Sequence, residues 1–157
     1  KIHLYGGGKI NYLSATVGLI NDPQAISKLD YIAGGCLFTH TDTFYQLGLL
    51  PEDYFLYWEE TDFCYNAKRE SYRLLVCERA ICYDKISTSI GKSYLSDYYY
   101  TRNGLFFLSK YKRSNIVPAL FFTLFRIIKR ILTGKTDRAR GMFAGMRSFI
   151  KRKSHAI

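Results

Sequence analysis

The spacing of apolar positions changes once along this chain of 157 residues. In the first two thirds they come in short runs broken by Gly, Pro, Asn and Asp. From Ser96 onward they recur at the period of a helix with one buried face. "GGGKINYLSATVG" reads as a glycine turn feeding a short strand, and "NDPQAISKL" carries Asn-Asp-Pro turn chemistry. "DYIAGGCLFT" is a short strand interrupted by Gly34-Gly35. Such a pair marks either a close approach to the backbone or a packing constraint against a neighbouring helix. "HTDTFYQLGLL" predicts a short helix capped by Thr41 and stopped by Gly48. "PEDYFLYW" should run extended into the acidic residues Glu59, Glu60 and Asp62. A helix over "ETDFCYNAKRESY" follows, with Thr61 as its cap, Asp62 in its first turn and Lys68-Arg69 in its last. "YRLLVC" and "AICYDK" predict two strands around the turn "ERA".

Three helices complete the chain. They cover "SDYYYTRNGLFFLSKY", "SNIVPALFFTLFRIIKRIL" and "TDRARGMFAGMRSFIKRK". Pro118 lies early enough in the second to be tolerated, and Met142, Phe143, Met146 and Ile150 line the third at helical spacing.

Charge adds a boundary that hydrophobicity does not show. Residues 1–109 hold 10 Lys and Arg against 12 Asp and Glu, whereas residues 110–157 hold 13 against Asp137 alone. The expected organisation is a near-neutral domain over 1–109 and a strongly basic helical tail over 110–157. A tail of this kind meets anionic partners. Its apolar run from Ile116 to Phe125 is about half the ~20 residues that cross a bilayer, and Arg126, Lys129 and Arg130 end it. Large apolar side chains with cations on the other face describe a helix lying at an anionic membrane surface. The competing reading is a core helix with a solvated basic edge. Nucleic acid is disfavoured, because the tail's Phe residues are expected on the buried helix face, whereas stacking platforms need aromatics interleaved with cations on an exposed surface.

The cysteines at 36, 64, 77 and 82 form no CxxC pair, and their apolar surroundings predict buried, reduced thiols. Glu59 and Glu60 are the residues with the most chemical promise. In an extended segment adjacent residues point to opposite sides, so one carboxylate could serve as a general base while the other meets amides or a cation.

From "DYIAGGCLF" through "DYFLYWEETDFCYNAKRESYRLLVCERAICYDKISTSIG" the chain resembles the C-terminal half of family 2 glycosyltransferases of the GT-A fold. The likeness is to rhamnosyltransferase-like enzymes of cell-surface polysaccharide synthesis and covers roughly residues 6–110. It rests on the order of a strand ending in a Gly turn, a short helix, an aromatic-acidic run, a second helix, a hairpin and a small-residue stretch. The resemblance implies an α/β, Rossmann-like domain fragment followed by basic amphipathic helices. It implies inverting transfer by a hexosyltransferase from a nucleotide-sugar donor to a glycan or lipid-linked acceptor, at the cytoplasmic face of the membrane.

By the same resemblance, Glu60 is the acceptor-activating base and Glu59 its acidic neighbour. Tyr57 and Trp58 form an acceptor-side wall, and Gly34 and Gly35 fall where the backbone closes on the bound sugar or acceptor. A divalent ion, Mg2+ or Mn2+, would neutralise the leaving diphosphate. Asp84 stands where the family carries a His, as either a metal ligand or a hairpin residue. His40 and Thr39 replace basic residues. The family's nucleotide-binding strands and Asp-x-Asp motif are not in the sequence, so the chain is expected to be an incomplete part that does not catalyse transfer alone. The alternative is a membrane- or glycan-binding module without catalysis.

Overall fold

The computed structural model describes residues 5–83 and 91–154. These residues divide into two compact units, one of residues 5–10, 17–55 and 59–83, the other of residues 11–16, 56–58 and 91–154.

The first unit is built on three short strands, β1 (Gly7–Asn11), β2 (Thr16–Leu19) and β3 (Tyr31–Ile32), in the order β2-β1-β3. The stretch expected to give one strand therefore gives two. β3 runs antiparallel to β1, with Gly7 opposite Ile32 and Gly8 opposite Tyr31. Asp22 caps a 3-10 turn over Pro23–Lys28 by accepting from the Gln24 amide at 2.9 Å. Asp30 ties the sheet to the following helix, accepting from the Ile10 amide at 3.1 Å and from Lys68 Nζ at 3.0 Å. Burial alone would raise this carboxyl. The hydrogen bonds from Lys68 and Ile10 and the charges of Lys68 and Lys9 outweigh it and hold the group below its ordinary value.

Two helices belong to this unit, α1 (Thr41–Leu47) and α2 (Glu59–Arg69). The α1 cap is His40, whose Nδ1 accepts from the Asp42 amide, and not Thr41, which already lies inside the helix. Gly48 ends α1 at φ 87°, a conformation that favours glycine. Phe44 of α1 meets Phe63 of α2 at 5.1 Å between ring centres, and Cys64 Sγ accepts from the Ile32 amide at 3.4 Å.

Several expectations fail here. "PEDYFLYW" does not run extended: Glu52–Tyr54 form a 3-10 turn, and Phe55, Tyr57 and Trp58 all take positive φ. Helix α2 accordingly starts at Glu59, so Thr61 is an interior residue. No strand forms among the described residues over 72–83, where Leu75, Ile81 and Tyr83 are exposed. A strand is stabilised by its partners and by cover on a face, and these side chains have no such cover. For that reason Cys77 and Cys82 are exposed, as is Cys36 in its 3-10 turn; Cys64 alone matches the expected burial, and none of the four forms a disulfide.

The second unit is helical: α3 (Tyr94–Tyr111), α4 (Ile116–Leu132) and α5 (Thr136–Ser154). The charge boundary at residue 109 is not its packing boundary, because α3 packs against both basic helices. Ser93 and Ser96 cap α3 reciprocally, the Ser96 amide donating to Ser93 Oγ and the Ser93 amide to Ser96 Oγ. α5 lies close along α3, since a Cβ at Gly141 or Gly145 would collide with the carbonyl oxygens of Tyr94 and Tyr98. Met142 and Met146 face inward as expected, but Ala139 and Phe149 complete their stripe, while Phe143 and Ile150 face solvent. Buried Asp97 binds both Arg130 of α4 and Arg138 of α5, the latter at 2.6 Å. Among the described residues no helix is long and apolar enough to cross a membrane.

Candidate functional site

The first turn of α2 brings Glu59 and Glu60 to one helix end, about 100° apart around the axis instead of on opposite sides of an extended segment. Each carries a buried carboxylate oxygen, Oε2, without a hydrogen-bond partner. A buried unpartnered carboxylate oxygen is costly, and such a group lowers the cost by taking up a proton. Burial pushes Glu60 up to about 7, and the charge of Glu59 adds to the shift; backbone N–H groups at the helix start oppose it. Glu60 is thereby poised to exchange a proton near neutrality.

Gly34 lies directly against this carboxylate. A Cβ at Gly34 would sit 3.7 Å from Glu60 Cβ and Cγ and 3.8 Å from Cδ, while one at Gly35 would meet open space. The Gly34–Cys36 turn at the end of β3 and the start of α2 are thus assembled side by side, as the pairing of Ile32 with Cys64 requires. Burial pushes the Cys64 thiol up to about 11; the Ile32 amide opposes this, and the Glu60 charge reinforces it, so the sulfur is a packing group and not a nucleophile.

Asp62 does more than serve the helix dipole. It is fully buried and accepts from Tyr54 Oη at 2.6 Å and from Asn66 Nδ2 at 3.1 Å. Tyr54 is fully buried too, so this bond pins the 3-10 turn to α2. Asn66 is the i+4 neighbour of Asp62 on the helix and legible from that spacing, whereas Tyr54 reaches Asp62 only through the fold of the preceding turn.

Tyr57 and Trp58 belong to the second unit. Trp58 is buried, its Nε1 donating to the Tyr100 carbonyl at 3.2 Å and its ring 5.2 Å from that of Phe107. Gly104 leaves the space for it, because a Cβ there would lie 2.9 Å from the indole. Tyr57 is half-buried and edge-on to Tyr100 at 6.1 Å. Asn103, fully buried in α3, donates to the carbonyls of Leu56 and Tyr57 at 2.7 and 3.0 Å. Positive φ in a non-glycine residue costs on the order of 1–3 kcal/mol and persists where the surroundings over-determine it. Asn103 constrains this backbone at Leu56 and Tyr57, and nothing in "YTRNGLF" announces it.

Among the described residues no group of three or more His, Cys, Asp or Glu side chains is arranged to hold a metal. Glu59 and Glu60 could offer two carboxylates and no third ligand, so these residues do not by themselves make a divalent site. Asp84 lies outside the described residues. An open polar depression of about 530 Å³, lined by Gln46, Leu47, Asn66, Glu70 and Tyr72, also belongs to the first unit but does not include Glu60.

Among known proteins, a stretch of 53 residues is 36% identical to the low-salt glycan biosynthesis hexosyltransferase Agl10 of Haloferax volcanii. The match covers 34% of this chain and 17% of that relative. No family model and no solved structure matches the chain significantly. Part of the chain is therefore related to a glycosyltransferase of glycan biosynthesis.

Proposed function

We propose that this chain carries the acceptor-activating part of a glycosyltransferase of the GT-A type. In this reading a hexose passes from a nucleotide-sugar donor to a hydroxyl of a glycan or lipid-linked acceptor. Glu60 removes the hydroxyl proton as the oxygen attacks the anomeric carbon; the bond to the leaving diphosphate breaks, and the sugar is inverted. Gly34 and Gly35 let the acceptor approach the backbone beside the base. No step is assigned to a metal.

The observation that carries the reading is the Glu60 carboxylate, with Oε2 buried and unpartnered and its pKa raised to about 7. A base of that strength is half-deprotonated at neutral pH and strong enough to assist an alkoxide-like attack. The hexosyltransferase relationship supplies the reaction class.

In a sugar-transfer assay on the protein bearing this chain, Glu60→Gln should lower kcat by about 10²–10⁴-fold with little change in KM. Glu60→Asp should retain part of the rate. Wild-type kcat should rise with pH through about 7 and level above it, because only the deprotonated form accepts the proton. Near-normal transfer by Glu60→Gln would remove Glu60 from the mechanism.

A further inference from the structure

Helix α4 is inside out for a soluble bundle. Its buried positions are Ile116, Ala119, Thr123 and Ile127, and Arg126 and Arg130 turn toward the rest of the second unit. Arg126 donates to the Ser14 carbonyl at 3.3 Å, and Arg130 binds the buried Asp97. The outward arc is apolar over the full length of the helix. Val117 is 75% exposed, Phe121 69%, Phe125 60% and Leu132 81%, with Leu124, Ile128 and Ile131 between them. At 100° per residue these seven positions fall within about 120° of one another, a continuous ridge with no polar side chain on it. A solvated surface helix places its cations on the outside; here Arg126 and Arg130 are consumed by internal contacts, Lys129 is left on the flank, and the hydrocarbon faces outward.

We propose that this ridge of α4 seats itself in the acyl boundary of an anionic lipid leaflet, with the helix lying in the membrane plane. The occupant is argued from charge and length. Arg113 and Lys135 stand exposed at the two ends of the helix and Lys129 along its flank, within a segment that has Asp137 as its single acid. Long cationic side chains beside an apolar face reach the headgroups while their helix is embedded. A second copy would bring an equally cationic surface against this one, so charge disfavours self-association. A helix of 17 residues is about 25 Å long, short of the ~30 Å hydrocarbon core, which selects the interfacial position over a spanning one. The ridge lies on a different unit from Glu60, and this inference does not depend on the sugar-transfer reading.

The test is cosedimentation of the full chain with phosphatidylcholine vesicles with and without phosphatidylglycerol. Wild type should bind the anionic vesicles more tightly, and binding should weaken as salt is raised. The double variant Phe121→Ser/Phe125→Ser should lose at least about tenfold in partitioning, since each ring removed from the apolar phase is worth about a factor of ten. Because both rings are exposed, its far-UV circular dichroism and thermal midpoint should match wild type. Lys129→Glu should reduce binding to anionic vesicles and leave binding to neutral ones unchanged. Absence of wild-type binding, equal binding by the Phe variant, or a dimer in sedimentation equilibrium that the Phe variant dissolves would each overturn the proposal.

Discussion

Glu60 carries the clearest conflict between stability and chemistry in the chain. Its folded-state pKa of about 7 lies above the ordinary 4.5, so the folded protein binds a proton more tightly than the unfolded chain does. Stability is therefore highest below about 4.5, falls as pH rises through the window to about 7, and stays low above it. The full penalty is about 3 kcal/mol at 1.36 kcal/mol per pKa unit. Glu60→Gln should raise the thermal midpoint at pH 8, by the equivalent of about 2–3 kcal/mol, and change it little at pH 4; an unchanged midpoint at pH 8 would show that the carboxylate finds solvation when charged. The Glu-Glu pair itself was legible in the sequence, because its chemistry resides in the residue types. The burial of its Oε2 atoms was not, since no local pattern reveals that Gly34 will lie against Glu60. Asp62 illustrates the same limit: its place in the first helical turn was readable, its bond to Tyr54 was not.

At the scale of elements, the long helices after residue 93 formed where their spacing predicted. Each is long enough for periodicity to average over local exceptions, and α3 adds a capping box at Ser93 and Ser96. The short elements are where expectation failed. Residues 72–83 have strand-forming composition, but a strand is made by its neighbours, and none pairs with them among the described residues. The segment Leu56–Trp58 departs from extended geometry for a similar reason, since Asn103 of a distant helix holds the carbonyls of Leu56 and Tyr57. The α3–α5 contact depends on two glycines spaced one helical turn apart. Gly145→Val should overpack that contact and destabilise the chain by about 2–3 kcal/mol in urea unfolding, whereas Ala144→Val on the half-buried neighbouring position should cost less than half as much. Equal losses would mean that the helices can part to accept the side chain.

For the molecule as a whole, the decisive quantity is where the net charge of +10 resides. Asp97 and Asp137 are the acids among residues 91–154, and Asp97 alone is buried, holding Arg130 and Arg138. Asp97→Ala would leave two guanidinium groups facing each other without their carboxylate. It should cost about 3–5 kcal/mol, partly recovered at high salt; a loss under 1 kcal/mol would show that water replaces the carboxylate. The sequence by itself determined the charge asymmetry, the long helices and the acidic pair, because composition, period and side-chain chemistry are local properties. Only the tertiary structure decided that a Glu60 carboxylate oxygen is buried and that Gly34 lies beside the side chain, that Asn103 holds the carbonyls of Leu56 and Tyr57, and that α4 turns Arg126 and Arg130 inward and its hydrocarbon outward. Burial and facing direction depend on which surfaces a neighbouring element covers, and that is settled by contacts between residues far apart in the chain.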